Sequence, residues 1–304
     1  MKSINVMSNN KINVVGKLMD ATFGSGTLTD GRYYERATFT VRVNQTYGGR
    51  EEISEIPVSV FATQYTKNNT LNPGFDNIQA LKNMKTVQNF GEAEADSVRI
   101  SRATIRENNF VSRSGQLISG WQLNTNFINS TKGMKDIASF DIDIFIMDMQ
   151  DEVDREGDPT GRMIIKGGIV QYNGALDVLE FIVESPDNVE YLRRNWNVND
   201  TVNVGGRIRV TSVEENRPSS SSSWGEDIPE TSTRMVRELI ITRGSDEPFE
   251  EDFAYDPNEI RKAFNVRKAN IEQLQINAAS KSAASKSAAP KAAAAAPASK
   301  YSWE

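Results

Sequence analysis

Aromatic and arginine side chains occur together at three places in the first 135 residues of the chain. One group lies at 32–36, a second at 47–50, and a third is spread over 99–121. An aromatic ring can stack on a nucleobase and a guanidinium can hold a phosphate, which are the two contacts that single strands of nucleic acid need. The candidate contact residues are Arg32, Tyr33, Tyr34, Arg36, Tyr47, Arg50, Arg99, Arg102, Arg106, Phe110, Arg113 and Trp121.

Other positions of these residue types have a simpler explanation. Phe39 and Phe61 lie on alternating strand patterns, so we interpret both as core residues. Trp121 follows a glycine on a strand pattern, and both a core and a contact interpretation stay open for it. On a regular strand Arg99 would lie on the face opposite Arg102 and Arg106, so all three can serve one groove only if a bulge intervenes.

The chain has neither His nor Cys among its 304 residues. Imidazole catalysis, disulfides and thiolate metal sites are therefore excluded. Asp141, Asp143, Asp148 and Asp151 raise the alternative of a Mg²⁺-dependent nuclease, because two carboxylates on one face could hold the ion. Alternating Asp on a strand is more typical of a solvated face, so we expect no enzyme activity and no cofactor.

Charge is distributed very unevenly along the chain. Residues 1–135 carry a net charge of +5, residues 136–260 carry −17, and residues 261–304 carry +6. A polyanion would bind the first part or the tail and be repelled by the middle. No window is apolar enough to span a membrane, and the N-terminus lacks a signal core, so we expect a cytoplasmic protein, in the host cytoplasm if a phage encodes it.

The pattern of strands and helices in the first 135 residues predicts three strands, a helix and two further strands. A Gly-rich loop at 22–34 follows the first strand, and a hairpin turn at 47–50 joins the next two. A basic, aromatic loop at 106–116 joins the last pair. The predicted strands are 11–19, 37–43, 53–62, 96–105 and 117–127, and the predicted helix is 76–90.

The same order recurs after residue 136. Strands are predicted at 139–153, 161–173 and 177–185, then a helix that begins at Pro186, then strands at 201–213 and 235–243. The junction from helix to fourth strand is repeated in sequence, since DSVRI at 96–100 corresponds to DTVNV at 200–204. A five-stranded set with its helix between strands three and four is the order of the OB-fold.

This repeated junction, D-[ST]-V-x-[IV] after a helix, resembles the single-stranded DNA-binding proteins with OB folds, and in particular a bacteriophage-type member with two units. The resemblance covers residues 10–245 and implies two tandem five-stranded OB-like barrels, in a mainly β chain with short helices. It implies single-stranded DNA as the partner. Bacterial members recruit replication proteins through an acidic C-terminal tip; WGEDIPE at 224–230 is similar but internal, and the end of this chain, YSWE, departs from that pattern.

The resulting division has four parts. Residues 1–135 form a basic nucleic-acid-binding unit, 136–245 an acidic unit, 246–277 an acidic linker with an amphipathic helix, and 278–304 a disordered Ala/Lys/Pro tail. Phe249 and Phe253, set in the acidic run, are candidate contacts to replication or recombination proteins, or the run could compete with DNA for the basic groove. Arg207 and Arg209 of the acidic unit are interpreted as a solvated face, and Trp196 as core.

The function that these observations favour is non-catalytic binding and protection of single-stranded DNA, without sequence specificity, in phage replication or recombination. The alternative is a structural or assembly protein of a virion or replication complex, with the helix at 257–277 as its oligomerisation element. A Mg²⁺-dependent nuclease is a distant third.

Overall fold

The computed structural model of the protein describes residues 1–287 except 113, 155 and 218–229, and its described part is mainly β-structure. The strands are β1 (Asn10–Thr27), β2 (Tyr33–Tyr47), β3 (Arg50–Thr63), β4 (Ser97–Val111), β5 (Leu117–Asn124), β6 (Asn129–Thr131), β7 (Ile137–Val153), β8 (Pro159–Val170), β9 (Leu176–Val183), β10 (Thr201–Arg217) and β11 (Glu230–Gly244). The helices are α1 (Pro73–Lys82), α2 (Val87–Phe90), α3 (Pro186–Asn195) and α4 (Pro257–Ser287).

Two five-stranded barrels with the same connectivity make up the body of the protein. The first closes in the order β1-β2-β3-β5-β4 and back to β1, and the second in the order β7-β8-β9-β11-β10 and back to β7. Each contains one parallel pairing, between β3 and β5 and between β9 and β11, at the same place in the ring. This is the five-stranded Greek-key arrangement of the OB-fold, and it confirms the predicted pair of tandem barrels.

The barrels are joined through their first strands. The start of β1 pairs antiparallel with the start of β7, from Asn10↔Ile142 to Val15↔Ile137. One cluster of buried side chains runs through both barrels, from Phe39 in the first to Phe181 in the second. The two barrels therefore share both a sheet and a core.

The repeated sequence junction marks equivalent positions in the two barrels. The carboxylate of Asp96 accepts the backbone N–H of Lys85 at 2.8 Å, and that of Asp200 accepts the N–H of Asn197 at 2.7 Å. Their carbonyls also have matching roles, since they accept the N–H groups of Leu18 and Ile146. The Asp of this motif therefore fixes the turn that leads into the fourth strand of each barrel.

Strand alternation sets which side chains reach the core. Phe39, Val41 and Val43 of β2 are fully buried, as their spacing predicts for one face of a strand. The hairpin turn at Gly48 and Gly49 is also confirmed, with positive φ at both glycines. Phe61 is a correction: it lies on the outer face of β3 and is 50% exposed.

Two predicted loops are largely strand in the structure. The Gly-rich segment at 22–34 is strand up to Thr27, and the chain then turns through a Leu28–Arg32 hydrogen bond and resumes in β2. The basic loop at 106–116 is strand up to Val111, so only 112–116 form the connection. Cross-strand pairing extended both hairpins beyond the region of clear hydrophobic alternation.

The helix boundaries also differ from the prediction. The predicted helix at 76–90 is two helices: Asn72 caps α1, with its side chain accepting the N–H of Gly74, and Thr86 caps α2. In α3 the N-cap is Ser185, whose side chain makes no capping hydrogen bond. Val189 and Leu192 of this helix are buried, and so is Trp196, which was interpreted as core.

The N-terminal residues and the segment that leads into α4 meet on the second barrel. Residues 1–9 form an arm that is held there: Lys2 forms an isolated β-bridge with Tyr255, and the buried Ser8 binds both Val170 and Tyr255. Helix α4 extends to Ser287, ten residues beyond the predicted end and into the predicted tail. None of the described helices is long and apolar enough to cross a membrane.

Candidate nucleic-acid interface

The outer face of β2 and β3 in the first barrel carries an exposed aromatic and basic surface. Strand alternation directs Tyr34 and Arg36 of β2 outward, and Phe61 of β3 lies beside them, in register with Arg36. The rings of Tyr34 and Phe61 are 5.1 Å apart and tilted by 34°. Among the described residues, no carboxylate forms an ion pair with Arg36. We call Tyr34, Arg36 and Phe61 the β2–β3 face.

Glycines of the neighbouring strand make room for this surface. Gly26 and Gly24 of β1 pair with Tyr34 and Arg36 respectively. A Cβ atom on Gly26 would lie 2.7 Å from the Tyr34 hydroxyl, and one on Gly24 would lie 3.0 Å from Arg36 Nε. Tyr34 and Arg36 therefore extend across the backbone of β1 at these two glycines.

The turn between β1 and β2 places Arg32 and Tyr33 at the rim. Arg32 binds Asp30 at 2.7 Å, and this hydrogen bond and charge lower the pKa of the Asp30 carboxyl. Tyr33 is half-exposed, packs edge-on against Phe75 with centroids 6.1 Å apart, and donates to Glu35 at 3.3 Å. Arg32 thus already has an anionic partner, whereas the Tyr33 ring keeps an exposed edge.

The hairpin tip that carries Tyr47 and Arg50 faces the second barrel. The guanidinium of Arg207 in β10 lies 4.5 Å from the centre of the Tyr47 ring, and burial raises the pKa of the Tyr47 hydroxyl. The same guanidinium binds Glu52 and, at 2.6 Å, Glu184. Tyr47 therefore joins the two barrels, while Arg50 is exposed beside it.

A bulge on β4 changes the face on which its arginines lie. Ile12 pairs with Ala103 but Val14 pairs with Ile100, so β4 contains one extra residue between these positions. Residues 98 and 100 before the bulge, and 103 and 105 after it, all point into the core. Arg99, Arg102 and Arg106 consequently all point outward. The bulge that the sequence analysis required for all three to lie on one face is therefore present.

The three arginines nevertheless have different surroundings. Arg106 binds Asp177 of β9 at 2.8 Å, so it bridges the barrels. Arg102 lies over the ring of Phe127 at 5.2 Å, and Arg99 is exposed. Within the described chain, no carboxylate forms an ion pair with Arg99 or Arg102.

The β4–β5 hairpin divides the remaining candidates. Phe110 is half-exposed opposite Ile118, at the mouth of a cleft of about 740 Å³ between the barrels. Trp121 is a correction to the contact interpretation: it is 6% exposed, belongs to the core, and is covered by Arg237 of β11 at 5.9 Å. Arg113 lies outside the described residues.

Arg207 and Arg209, expected on a solvated face, are instead part of an ion-pair network between the barrels. Arg207 is buried, and Arg209 binds Glu184 at 2.8 Å and also Glu238. Hydrogen bonds and nearby carboxylates raise the pKa of Arg209 although its burial acts in the opposite direction. Their partners lie 23 to 155 residues away, so no local sequence pattern could reveal them.

The aspartates that suggested a nuclease have protein partners. Asp141 and Asp143 share the amide of Asn203, and Asp141 also binds Asn9 and Arg243. Partial burial would raise the pKa of the Asp141 carboxyl, but these hydrogen-bond donors lower it below its ordinary value. Within the described residues, no group of three or more acidic side chains is placed to hold a metal ion.

The acidic segment after β11 is attached to the second barrel. The N–H of Phe249 donates to Thr201 at 2.8 Å, and Tyr255 is fully buried a few residues later. Phe253 between them is well exposed, so it is available for a contact. Of the similar WGEDIPE segment, Trp224 and most of its neighbours lie outside the described residues.

Phe61 and Phe127 lie beside arginines on the surface but were absent from the candidate list. Phe61 is an odd-numbered residue on a strand whose buried residues Ile56, Val58 and Val60 are even-numbered. This alternation could have predicted from the sequence that Phe61 points outward. Phe127 follows β5 and is 42% exposed, but its place beside Arg102 depends on the β4 bulge, which the sequence does not show.

Comparisons with known proteins give one family and one fold. The family model described as YorF matches residues 8–277. The single-stranded DNA binding protein of Thermus aquaticus has a similar structure, with a TM-score of 0.50, 12% identity, and coverage of 81% of this chain and 95% of that chain. A deletion mutant of the same protein has a TM-score of 0.49, 13% identity, and coverage of 81% and 97%. No curated protein matches the sequence.

Proposed function

Since the chain belongs to the YorF family, we propose that this member of the family binds single-stranded DNA without catalysing a reaction. The observation that supports the proposal most directly is the β2–β3 face, where the half-exposed Phe61 packs on the partly buried Tyr34, beside an exposed Arg36 that has no ion-pair partner among the described residues. In OB folds the face of strands two and three carries oligonucleotides. The fold shared with the Thermus aquaticus protein, which is named for this activity, supports the same function.

The chemistry of the face favours binding that is largely independent of sequence. Every base has a π-face, so Tyr34 and Phe61 can stack on any of them, and Arg36 can bind the adjoining phosphate. Tyr33 lies at the rim, at the start of β2, and Arg50 lies at the far end of the β2–β3 hairpin, so either could meet a strand that extends beyond the face. Arg32, Arg106, Tyr47 and Trp121 contribute to structure through the contacts described above.

The biological setting that we propose is protection of single strands during phage replication or recombination, in the cytoplasm of the host. Residues 1–135 are the DNA-binding unit and 136–245 an acidic partner unit, followed by an acidic segment and helix to 277 and a tail to 304. Phe249 and Phe253 are the proposed contacts to replication or recombination proteins.

The decisive experiment is fluorescence anisotropy of a labelled oligo-dT and of a duplex of equal length, over a salt series. We expect tighter binding to the single strand than to the duplex. The logarithm of the binding constant should fall with the logarithm of the salt concentration, with a slope of about −0.7 per contacted phosphate. Absence of binding at low salt would refute the proposal. Mg²⁺-dependent cleavage of the probe would replace it with the nuclease hypothesis.

An assembly role is the second candidate, and one observation favours it. Helix α4 has 31 residues, and Val266 and Ile276 on it are well exposed. Light scattering of the full chain at several concentrations tests this role. A stable oligomer that fails to bind DNA would favour assembly over DNA binding.

A further inference from the structure

A second basic and aromatic surface lies on the first barrel, away from the β2–β3 face. It consists of Arg99 and Arg102 on β4 and Phe127 after β5, and we call it the β4 patch. Arg102 lies 5.2 Å from the centre of the Phe127 ring, and Arg99 is exposed on the same outward side of the strand. Two guanidiniums beside a ring are again the groups that bind phosphates and bases.

The strand order separates the two surfaces. In the closed ring β1-β2-β3-β5-β4, the strand β1 lies between β2 and β4 on one side, and β3 and β5 lie between them on the other. Side chains that point outward from β2 and from β4 therefore leave different sides of the barrel. A ligand on the β2–β3 face cannot touch the β4 patch unless it passes around the barrel.

Phe127 is held in place by its neighbours. The N–H of Phe127 donates to the Thr125 hydroxyl at 3.0 Å, and that hydroxyl donates to the Phe127 carbonyl at 3.2 Å. Ile128, the next residue, is buried in the core. The backbone of Phe127 is therefore fixed, and the residue is 42% exposed, so its ring is accessible to a ligand.

Charge favours an anionic ligand at this place. No described carboxylate forms an ion pair with either arginine, although most other described arginines have such partners. Residues 129–132, the continuation of the patch along β6, add Lys132 and no acidic residue. The charged residues named for this patch are therefore all basic, although the whole chain carries a net charge of −6.

We propose that single-stranded DNA bound on the β2–β3 face continues around the first barrel onto the β4 patch. This inference rests on the proposed function and adds the path that a long strand takes. An oligonucleotide that fits one OB face would contact only the first surface. A longer strand would add two phosphate contacts and one stacked base at the second.

The test compares two labelled oligo-dT probes, of about 8 and about 30 nucleotides, since one OB fold occupies about 4–16 nucleotides. The variants are Arg99→Ala/Arg102→Ala and, separately, Phe127→Ala. The control Arg193→Ala/Arg194→Ala removes the same charge from exposed positions of the acidic barrel. All the changed side chains are at least partly exposed, and circular dichroism checks that each variant folds.

We expect both variants to bind the short probe as the wild type does. On the long probe the double arginine variant should bind more weakly, with a salt slope reduced in magnitude by about 1.4, from two contacts at about 0.7 each. Phe127→Ala should lose at least about fivefold in affinity for the long probe with its slope unchanged, because stacking carries no charge.

The possible failures are distinguishable. If the wild type binds neither probe, the proposed function itself is wrong. If the wild type binds both, and the variants match it on the long probe, only the β4 path is refuted. Equal weakening on both probes would also refute it, because the two surfaces would then act as one site.

Discussion

The exposure of single aromatic residues decides which of them can meet DNA. Phe61, interpreted from the sequence as a core residue, is half-exposed on β3, whereas Trp121, for which core and contact interpretations were both open, is buried on β5. Strand parity explains both, because Phe61 alternates with the buried Val60 and Ala62, and Trp121 shares its face with the buried Leu123. Chemical type alone does not separate a stacking platform from a core residue.

The β2–β3 face yields a prediction about affinity. Tyr34→Ala/Phe61→Ala should lose about 1–3 kcal/mol of binding free energy for each base that no longer stacks. The measurement is anisotropy with oligo-dT, and Tyr172→Ala is the control because Tyr172 is 88% exposed and lies on the described part of the second barrel. An affinity equal to that of the wild type would remove this face from the interface.

Trp121 yields a prediction about stability. Trp121→Ala should lower the free energy of unfolding by about 3–5 kcal/mol, because it empties a large part of the core. Phe110→Ala on the same hairpin should change it by no more than about 0.5–1 kcal/mol, since that ring is half-exposed. Denaturant unfolding of the two variants provides the comparison, and equal losses would contradict the core position of Trp121.

At the scale of strands and helices, the regular sequence patterns predicted the order of the elements. The places where strands bulge, extend or give way to helices were not predicted. Alternation in β2, β3 and β7 and the D-[ST]-V repeat were enough to predict two OB-like barrels. The bulge on β4, the extension of β1 to Thr27 and the division between α1 and α2 were not predicted. Each depends on pairing or capping by distant residues, which one segment of sequence does not contain.

Gly16 shows how closely two of these strands approach. A Cβ atom on Gly16 would overlap the carbonyl oxygen of Arg42, so Gly16→Ala must push β1 away from β2. We expect a loss of about 1–3 kcal/mol or more in the free energy of unfolding. Gly120→Ala is the matched control, because a Cβ atom there meets open space, and its stability should be nearly unchanged. Thermal unfolding measures the stability of both variants. Equal losses of stability would contradict the close approach of β1 and β2 at Gly16.

At the scale of the whole molecule, ion pairs hold the barrels and α4 as one unit. Glu107 of β4 is the centre of one such junction: it accepts hydrogen bonds from Arg267 of α4, Asn109, and the N–H of Val178 in β9. Burial would raise the pKa of Glu107, but these donors lower it below its ordinary value of 4.5. Asp177 nearby has its pKa raised by burial, against the attraction of Arg106.

The direction of the Glu107 shift predicts a pH dependence. The ionised Glu107 carboxylate contributes fully to stability above about pH 4.5. This contribution is lost as the pH falls through the lower pKa that Glu107 has in the folded protein. The pKa of Asp177 shifts in the opposite direction. Its protonation at low pH therefore favours the folded state and partly offsets the stability lost at Glu107. Glu107→Gln should therefore be less stable than the wild type at pH 7, by about 1.5–3 kcal/mol, with a gap that narrows below pH 4.5.

Urea unfolding from pH 3 to 7 measures that gap. Glu180→Gln, an exposed change on β9, is the control and should follow the wild type throughout. A gap for Glu107→Gln that stays constant with pH would show that the loss comes from packing and not from the ionised carboxylate.

The N-terminal arm has a consequence for the order of folding during synthesis. Ser8 is translated before either barrel, yet its hydroxyl partner Tyr255 is 247 positions later, and Glu259, which accepts the N–H of Ile4, is 255 positions later. Both barrels can close before those partners exist, whereas the arm must wait for them. The segment that precedes both barrels in the sequence therefore docks after the residues of both barrels have been made.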